Sequence, residues 1–188
     1  MRNQAYFVLP TPYKSQLDND QDWNSGWWNE CSYVCKAMFL AAMGFVGNGN
    51  GQFEDQIERK SEAAGFMRGE PYGMNEFMRT NYRVAGTDYI FKPDATWEEL
   101  EDNLLIGYPA ILHTWLTGSG HVILLNGWNE AAYGGRGAYL FHDPYGEWYP
   151  AGYDTSASGE NVPYSFDLCK RLIGTDGDMW AHMVVQVK

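Results

Sequence analysis

Residues 31–44 read CSYVCKAMFLAAMG, and this stretch decides the fold prediction for the chain. Its apolar side chains recur at the spacing of one helix face: Cys31, Val34, Cys35, Met38, Ala41 and Ala42. Gly44 follows as a stop signal, so we predict a helix from Cys31 to Met43. Cys31 then lies in the first turn, where backbone N–H groups favour the thiolate, the reactive form of a cysteine.

A cysteine at a helix start can equally be a small packing residue, and its position alone leaves both readings open. Cys35 lies one turn deeper on the apolar stripe, and we expect it to pack in the core together with Cys169. The three cysteines show no CxxC spacing, so the sequence predicts neither a zinc knuckle nor a disulfide framework.

The rest of the chain adds shorter helices and then a series of strands. Thr96 and Glu99 form a capping box before one helix, and weaker helix patterns cover residues 53–64 and 74–82. We expect one more short helix within the segment 162–173. Strand patterns cover residues 5–9, 109–115, 121–128, 138–143 and 180–187. Helices followed by an antiparallel sheet predict an α+β fold, in a single domain over residues 1–188.

Composition excludes several classes of function. A net charge of −11 leaves no basic stripe for nucleic acid, and it disfavours an anionic membrane surface. No stretch approaches the roughly 20 apolar residues that span a bilayer, and the first twelve residues do not resemble a signal peptide. We therefore predict a cytoplasmic monomer, with release by cell lysis as a possible fate, and no cofactor or metal.

Two further residues have the character of catalytic groups. His121 follows the turn Gly118–Gly120 and opens a buried strand, which holds a general base rigidly while leaving it accessible. Asp143 ends the next strand before Pro144, where a carboxylate can orient an imidazole. Each has an alternative interpretation, as a structural histidine and as a turn-capping aspartate.

Two other histidines are weighed against His121. His142 alternates to the other strand face from Asp143, so we do not include it in the triad. His182, on the last strand, is the alternative candidate for the base.

The order of these residues resembles a known family. The matching blocks are residues 12–19, 30–38, 109–111, 119–122 and 142–146. They are similar to papain-like cysteine peptidases of the double-glycine leader peptidase type (cysteine peptidase family thirty-nine), in its stand-alone branch without a transporter.

The resemblance implies a papain-like fold, with an N-terminal nucleophile helix packed on an antiparallel sheet. It implies that Cys31 is the nucleophile, His121 the base and Asp143 the residue that orients the base. It also implies that Gln16 donates a hydrogen bond in the oxyanion hole. The residues 32–35 after the nucleophile are bulkier than the small polar run usual in the family, so the substrate preference does not carry over.

Three tryptophans precede the nucleophile: Trp23, Trp27 and Trp28. They can line a substrate groove, or they can simply pack the loop, and the sequence does not distinguish the two. We predict that they are candidate substrate-binding residues.

The leading functional hypothesis is a hydrolase of peptide or isopeptide bonds, acting on bacterial cell-wall peptides as a phage-type lytic endopeptidase. Its partner is then a peptide or peptidoglycan substrate. One alternative is a catalytically inactive papain-like module that binds peptides or glycans. Another is a metalloenzyme that uses Cys31, His121 and Asp143 as ligands, although no spacing signal favours a metal.

Overall fold

The computed structural model describes residues 4–19 and 30–187. Its helices are α1 (Cys31–Ala42), α2 (Phe53–Ala63), α3 (Pro71–Asn81), α4 (Trp97–Leu105), the short turn α5 (Ala132–Gly135) and α6 (Phe166–Leu172). Its strands are β1 (Tyr6–Val8), β2 (Thr87–Ala95), β3 (Ala110–Thr114), β4 (His121–Asn129), β5 (Ala138–His142), β6 (Glu147–Tyr149), β7 (Gly152–Asp154), β8 (Val162–Ser165) and β9 (Met179–Gln186).

The main sheet is antiparallel and runs in the order β2-β9-β3-β4-β5-β8, while β6 and β7 form a separate hairpin. Strand β4 lies at its centre. Strand β3 pairs with the first half of β4, with Thr114 opposite His121. Strand β1 pairs with the second half of β4, with Val8 opposite Gly127. A side chain at Gly127 would collide with the Phe7 carbonyl, so glycine is required where β1 approaches.

Helices cover both faces of the sheet. The helices α1, α2 and α3 pack on one face, against side chains that include Ile111 and Leu124. The helices α4 and α6 pack on the other, against neighbours in the same strands such as Leu112 and Ile123. Because successive strand residues point to opposite faces, a strand buried on both sides needs an unbroken apolar run. This explains the uninterrupted run Val122–Leu125 in β4.

Most of the predicted elements are confirmed. Helix α1 begins at Cys31 as expected and ends one residue earlier, at Ala42. The capping box is present: the Glu99 backbone N–H donates to Thr96 Oγ1 at 3.2 Å, and the Thr96 N–H donates to Glu99 Oε2 at 2.9 Å. The fold class, α+β with the α1 helix packed on an antiparallel sheet, is also confirmed.

Other expectations were wrong in detail. Helix α3 begins at Pro71, because Glu70 caps it and proline suits the first helical position. The short helix expected within the segment 162–173 is confirmed as α6, which begins at Phe166, although strand β8 at the start of this segment was not predicted. Strand β2 was not predicted. It interrupts the expected order of helices first and strands afterwards.

Among the residues that the structure describes, no helix is both long enough and apolar enough to cross a membrane.

Candidate active site

The nucleophile candidate is located by the start of α1. The Glu30 carbonyl accepts the first helical hydrogen bonds, from the backbone N–H groups of Tyr33 and Val34 at 2.9 and 3.0 Å. Cys31 is the first helical residue, is half-buried, and lines a cleft of about 940 Å³. Its thiol therefore lies at a helix N-terminus and faces an open space, which is the environment of a reactive cysteine.

Cys35 and Cys169 lie in different environments. Cys35 is fully buried, and its thiol donates to the Val122 carbonyl at 3.3 Å, which fastens α1 to the strand directly beside His121. Burial, with the nearby Cys31 and Asp143, raises the pKa of the Cys35 thiol well above its ordinary value. Burial also raises the pKa of Cys169. Both are thus held as neutral thiols inside the protein, whereas Cys31 meets the cleft.

His121 lies between Cys31 and Asp143. Its Nε2 is 2.8 Å from Asp143 Oδ1, and it lines the cleft together with Cys31, whose thiol contributes to its electrostatic environment. Since Nε2 is engaged by Asp143, Nδ1 is the ring nitrogen left for the thiol. Burial by itself lowers the pKa of His121, but the Asp143 carboxylate and the Cys31 thiol outweigh it and raise the pKa to about 10. The three residues form a series with the imidazole at its centre.

Asp143 is fully buried and receives four hydrogen bonds. Its Oδ1 accepts from His121 and from the Tyr145 backbone N–H at 3.0 Å. Its Oδ2 accepts from the hydroxyls of Tyr153 and Tyr164 at 2.9 and 2.8 Å. A buried carboxylate needs such donors, because each missing hydrogen bond leaves part of its desolvation uncompensated. The donors also fix the oxygen that holds His121.

The two tyrosines were missed by the sequence analysis. Tyr153 comes from the hairpin strand β7 and Tyr164 from β8, so they reach Asp143 from separate elements. Burial, reinforced by the negative charge of Asp143, raises the pKa of both phenols, so both remain protonated donors. The only sequence signal was the abundance of tyrosine after the Asp143 turn, and abundance does not identify a hydrogen-bond partner.

Gln16 reaches the same cleft through the chain that follows β1. Its backbone N–H donates to the Pro144 carbonyl at 2.9 Å, and the Ser15 hydroxyl reaches the same oxygen at 3.4 Å. Tyr13 adds a third link, since its hydroxyl donates to the Asp143 carbonyl at 3.2 Å. Gln16 is therefore held against the turn that carries Asp143, and it lines the cleft with Cys31 and His121.

The remaining site candidates have other placements. The tryptophans Trp23, Trp27 and Trp28 lie outside the described residues. His142 is turned away from Asp143, with its Nε2–H donating to the Thr11 carbonyl at 2.8 Å, as its position in the strand predicts. His182 is fully buried and hydrogen-bonds His113 across 3.0 Å between the two Nε2 atoms. It is not among the cleft-lining residues, so the structure brings His121, and not His182, to Cys31.

The described part of the chain contains no group of three or more His, Cys, Asp or Glu residues arranged to hold a metal ion. His121 is hydrogen-bonded to Asp143, and both Asp143 oxygens already accept hydrogen bonds from protein donors.

The chain resembles known proteins in its fold and not in its sequence. No protein-family model matches the sequence, and no curated protein matches it. A solved structure from Bacillus anthracis, described as a C39-like peptidase, superposes with a TM-score of 0.59 at 14% identity, covering 97% of this chain and 99% of that one. UfSP from C. elegans superposes with a TM-score of 0.56, also at 14% identity, covering 97% of this chain and 34% of that one. At such identity the likeness concerns the fold, and the chain has the papain-like fold.

Proposed function

We propose that the protein is a cysteine peptidase that hydrolyses peptide or isopeptide bonds. Cys31 is the nucleophile, His121 the base, and Asp143 the residue that orients His121. One observation carries the proposal: His121 is hydrogen-bonded to a buried carboxylate that has donors on both oxygens, and it lines the same cleft as a thiol at a helix start. The papain-like fold shared with the two solved structures supports it.

The first half of the reaction follows from the raised pKa of His121. At neutral pH the imidazole holds a proton, and its charge stabilises the Cys31 sulfur as the sulfur attacks in its deprotonated form. The sulfur attacks the substrate carbonyl carbon, a C–S bond forms, and the carbonyl electrons move to the oxygen. When this oxyanion collapses, the C–N bond breaks, and the leaving amine takes the proton from His121 Nδ1. The product is a thioester on Cys31.

The second half restores the enzyme. The neutral His121 removes a proton from a water molecule, whose oxygen attacks the thioester carbon. Collapse of the second oxyanion releases the acid product and returns the thiolate beside the imidazolium. One water is consumed per bond. Throughout, Asp143 keeps Nδ1 directed at the reacting atoms by holding Nε2.

Gln16 and the Cys31 backbone N–H would stabilise the oxyanion in both halves. Gln16 is suited to this role because its backbone is fastened to the Asp143–Pro144 turn while its side chain lines the cleft. Donors held in place before the reaction act most strongly on charge that develops in the transition state.

For the substrate, we propose bacterial cell-wall peptides, in a phage-type lytic role. The support is the motif resemblance to stand-alone leader peptidase relatives, together with a cleft large enough for several peptide residues.

The proposal is tested by incubating the wild type and a Cys31→Ala variant with a peptide library and with peptidoglycan of several chemotypes, followed by mass spectrometry of the products. Cys35→Ala serves as the matched control, because Cys35 is buried in the same helix. We expect wild type and Cys35→Ala to release products, and Cys31→Ala to release none. Iodoacetamide should label Cys31 first and abolish turnover.

The possible outcomes distinguish the mechanism, the cell-wall substrate and the alternative of an inactive binding module. Equal product release by Cys31→Ala would overturn the mechanism. Cleavage of free peptides without any release from peptidoglycan would overturn only the cell-wall substrate. Tight binding of peptides or glycans without cleavage by any variant would favour the inactive binding module.

A further inference from the structure

One part of the cleft carries exposed aromatic side chains. Trp115 directly follows β3 and is 70% exposed, and Trp180, in β9, is 49% exposed. Both line the same cleft as Cys31 and His121. The Trp115 backbone N–H donates to the Leu172 carbonyl at 2.7 Å, so this aromatic part is attached to the last turn of α6. Exposed aromatic surface inside a cleft commonly marks a binding site.

The last turn of α6 adds positive charge to this part of the cleft. Lys170 and Arg171 are exposed, line the cleft, and form no ion pair with the residues that the structure describes. Arg68, also a cleft residue, is occupied by three carboxylates, those of Glu30, Glu58 and Glu62.

A single acidic side chain, Asp178, belongs to the described lining of the cleft. Lys170 and Arg171 thus leave an excess of positive charge there, in a chain whose net charge is −11. This local reversal of sign attracts a carboxylate to one place in a protein that otherwise repels it.

His113 supplies a neutral donor beside these groups. Its Nε2 faces His182 Nε2 at 3.0 Å, so one of the two nitrogens carries the hydrogen. His182 Nδ1 is buried and has no hydrogen-bond partner in the described chain, and a hydrogen placed there would be an orphaned donor. The hydrogen therefore belongs on His182 Nε2, which leaves His113 protonated at Nδ1. Burial lowers the pKa of His113 to about 4, so the ring stays neutral.

We propose that His113, Trp115, Trp180, Lys170 and Arg171 form a basic subsite that binds an acidic segment of the peptide substrate. The inference rests on the proposed peptidase function and names the substrate feature that the cleft selects. Lys170 and Arg171 pair with a substrate carboxylate, and His113 Nδ1–H is placed to donate to the same peptide. Trp115 and Trp180 pack on the peptide backbone and on aliphatic parts of its side chains.

The test uses Cys31→Ala protein, which binds without turnover. The probes are decapeptides with blocked termini in which one Glu, Gln or Lys is moved through an otherwise uncharged sequence, and affinity is measured by calorimetry. We expect Glu to bind about tenfold tighter than Gln at one or two neighbouring positions, and Lys to bind more weakly than Gln. Adding Lys170→Gln and Arg171→Gln should abolish the Glu preference. Trp115→Ala should weaken all the peptides alike.

Matched control variants remove the same charge, or an aromatic ring, at positions outside the cleft. Arg83→Gln with Arg136→Gln removes two exposed cations outside the cleft, and Tyr149→Ala removes an exposed aromatic ring outside it. Both should leave the Glu preference and the affinities unchanged. A fall in melting temperature identifies any variant in which Lys170 or Arg171 stabilises the C-terminal end of α6 and does not bind the peptide.

Absence of a Glu preference at every position, or a preference that survives the loss of Lys170 and Arg171, would overturn the subsite. Turnover by the wild type is scored separately on the same peptides. Cleavage without a Glu preference refutes only the subsite, whereas Glu-selective binding without cleavage refutes only the proposed peptidase function.

Discussion

Two buried groups of carboxyl residues flank the nucleophile. They differ in how many hydrogen-bond donors offset the cost of burying their charge. Asp143 receives donors on both oxygens, from His121, the Tyr145 backbone, Tyr153 and Tyr164, at distances of 2.8 to 3.0 Å. These donors come from strands and turns on several sides of the carboxylate. The negative charge is therefore compensated entirely by groups that the fold holds in place.

Glu30 and Glu58 form the second group, beneath the start of α1. Arg68 reaches Glu58 at 2.7 Å and Glu30 at 3.5 Å, and Asn19 donates to Glu30 at 2.9 Å. Glu58 Oε2 is buried and has no hydrogen-bond partner among the described residues, and the neighbouring Glu30 carboxyl adds like charge. Burial raises the pKa of both, that of Glu58 to about 8, so the pair shares a proton at neutral pH.

The difference shows what a buried carboxyl group needs in order to act on a neighbour. Asp143 has enough donors to hold a charge and directs that charge at His121. Among the residues that the structure describes, the Glu30–Glu58 pair has fewer donors than oxygens, and a bound proton makes up the shortage. We therefore expect the Asp143 group to control chemistry and the Glu30–Glu58 group to control stability and its pH dependence.

The largest expected effect is that of Asp143→Ala. Without the carboxylate, His121 loses its anchor and its charge partner, and turnover should fall by about 10³- to 10⁴-fold. The measurement is kcat on the best peptide substrate, with circular dichroism to verify the fold. Glu58→Gln is the counterpart from the other group and should change kcat by no more than a few-fold. Equal losses in both variants would remove the distinction between the two groups.

Gln16→Ala sharpens the comparison, because Gln16 is held by the turn that carries Asp143. Loss of one oxyanion donor should lower kcat by about 10²- to 10³-fold while the melting temperature changes little. Steady-state kinetics and thermal unfolding are measured together, with Ser15→Ala as the neighbouring control. A rise in KM at constant kcat would show instead that Gln16 binds the substrate in its ground state.

Tyr164→Phe and Tyr153→Phe each remove one donor from Asp143 Oδ2. Hydrogen bonds to a charged group contribute about 1.5–3 kcal/mol, so each variant should lose about that much free energy of unfolding. Urea denaturation measures the loss. Tyr149→Phe, at an exposed residue of β6, should stay within about 0.5 kcal/mol of the wild type. If all three variants behave alike, the Asp143 donors do not stabilise the fold.

The smallest expected effect, counted per pH unit, is the change that Glu58→Gln makes in the slope of stability against pH. Because the folded state raises the pKa of Glu58 from 4.5 to about 8, its stabilising protonation is complete below pH 4.5 and is lost as the pH rises through 8. The variant has no proton to lose, so relative to the wild type it should gain stability from pH 5 to pH 8. The gain is at most about 1.4 kcal/mol per pH unit. A constant difference across this range would contradict a shared proton.

Local sequence patterns were enough to predict the start of α4 and the helix α1, which positions the nucleophile. The stripe in residues 31–44 predicts α1, and the Thr96–Glu99 pair predicts the start of α4, because both signals lie within a few residues of one another. Strand β2 escaped prediction because Pro93 and its charged neighbours interrupt the strand pattern. It is an edge strand paired with β9, and its register shifts between Lys92 and Ala95, where a proline can be tolerated.

The sequence alone determined the helix that begins at Cys31, the buried strand that begins at His121, and the order in which the candidate residues follow one another. The tertiary structure decided that His121 and Asp143 meet at 2.8 Å and that Tyr153 and Tyr164 complete the carboxylate's shell. It also decided that Trp115 and Arg171 share one cleft. The physical reason is that helix and strand signals arise between near neighbours in the chain, whereas a hydrogen bond or a cleft depends on how distant segments pack, and no local pattern encodes that distance.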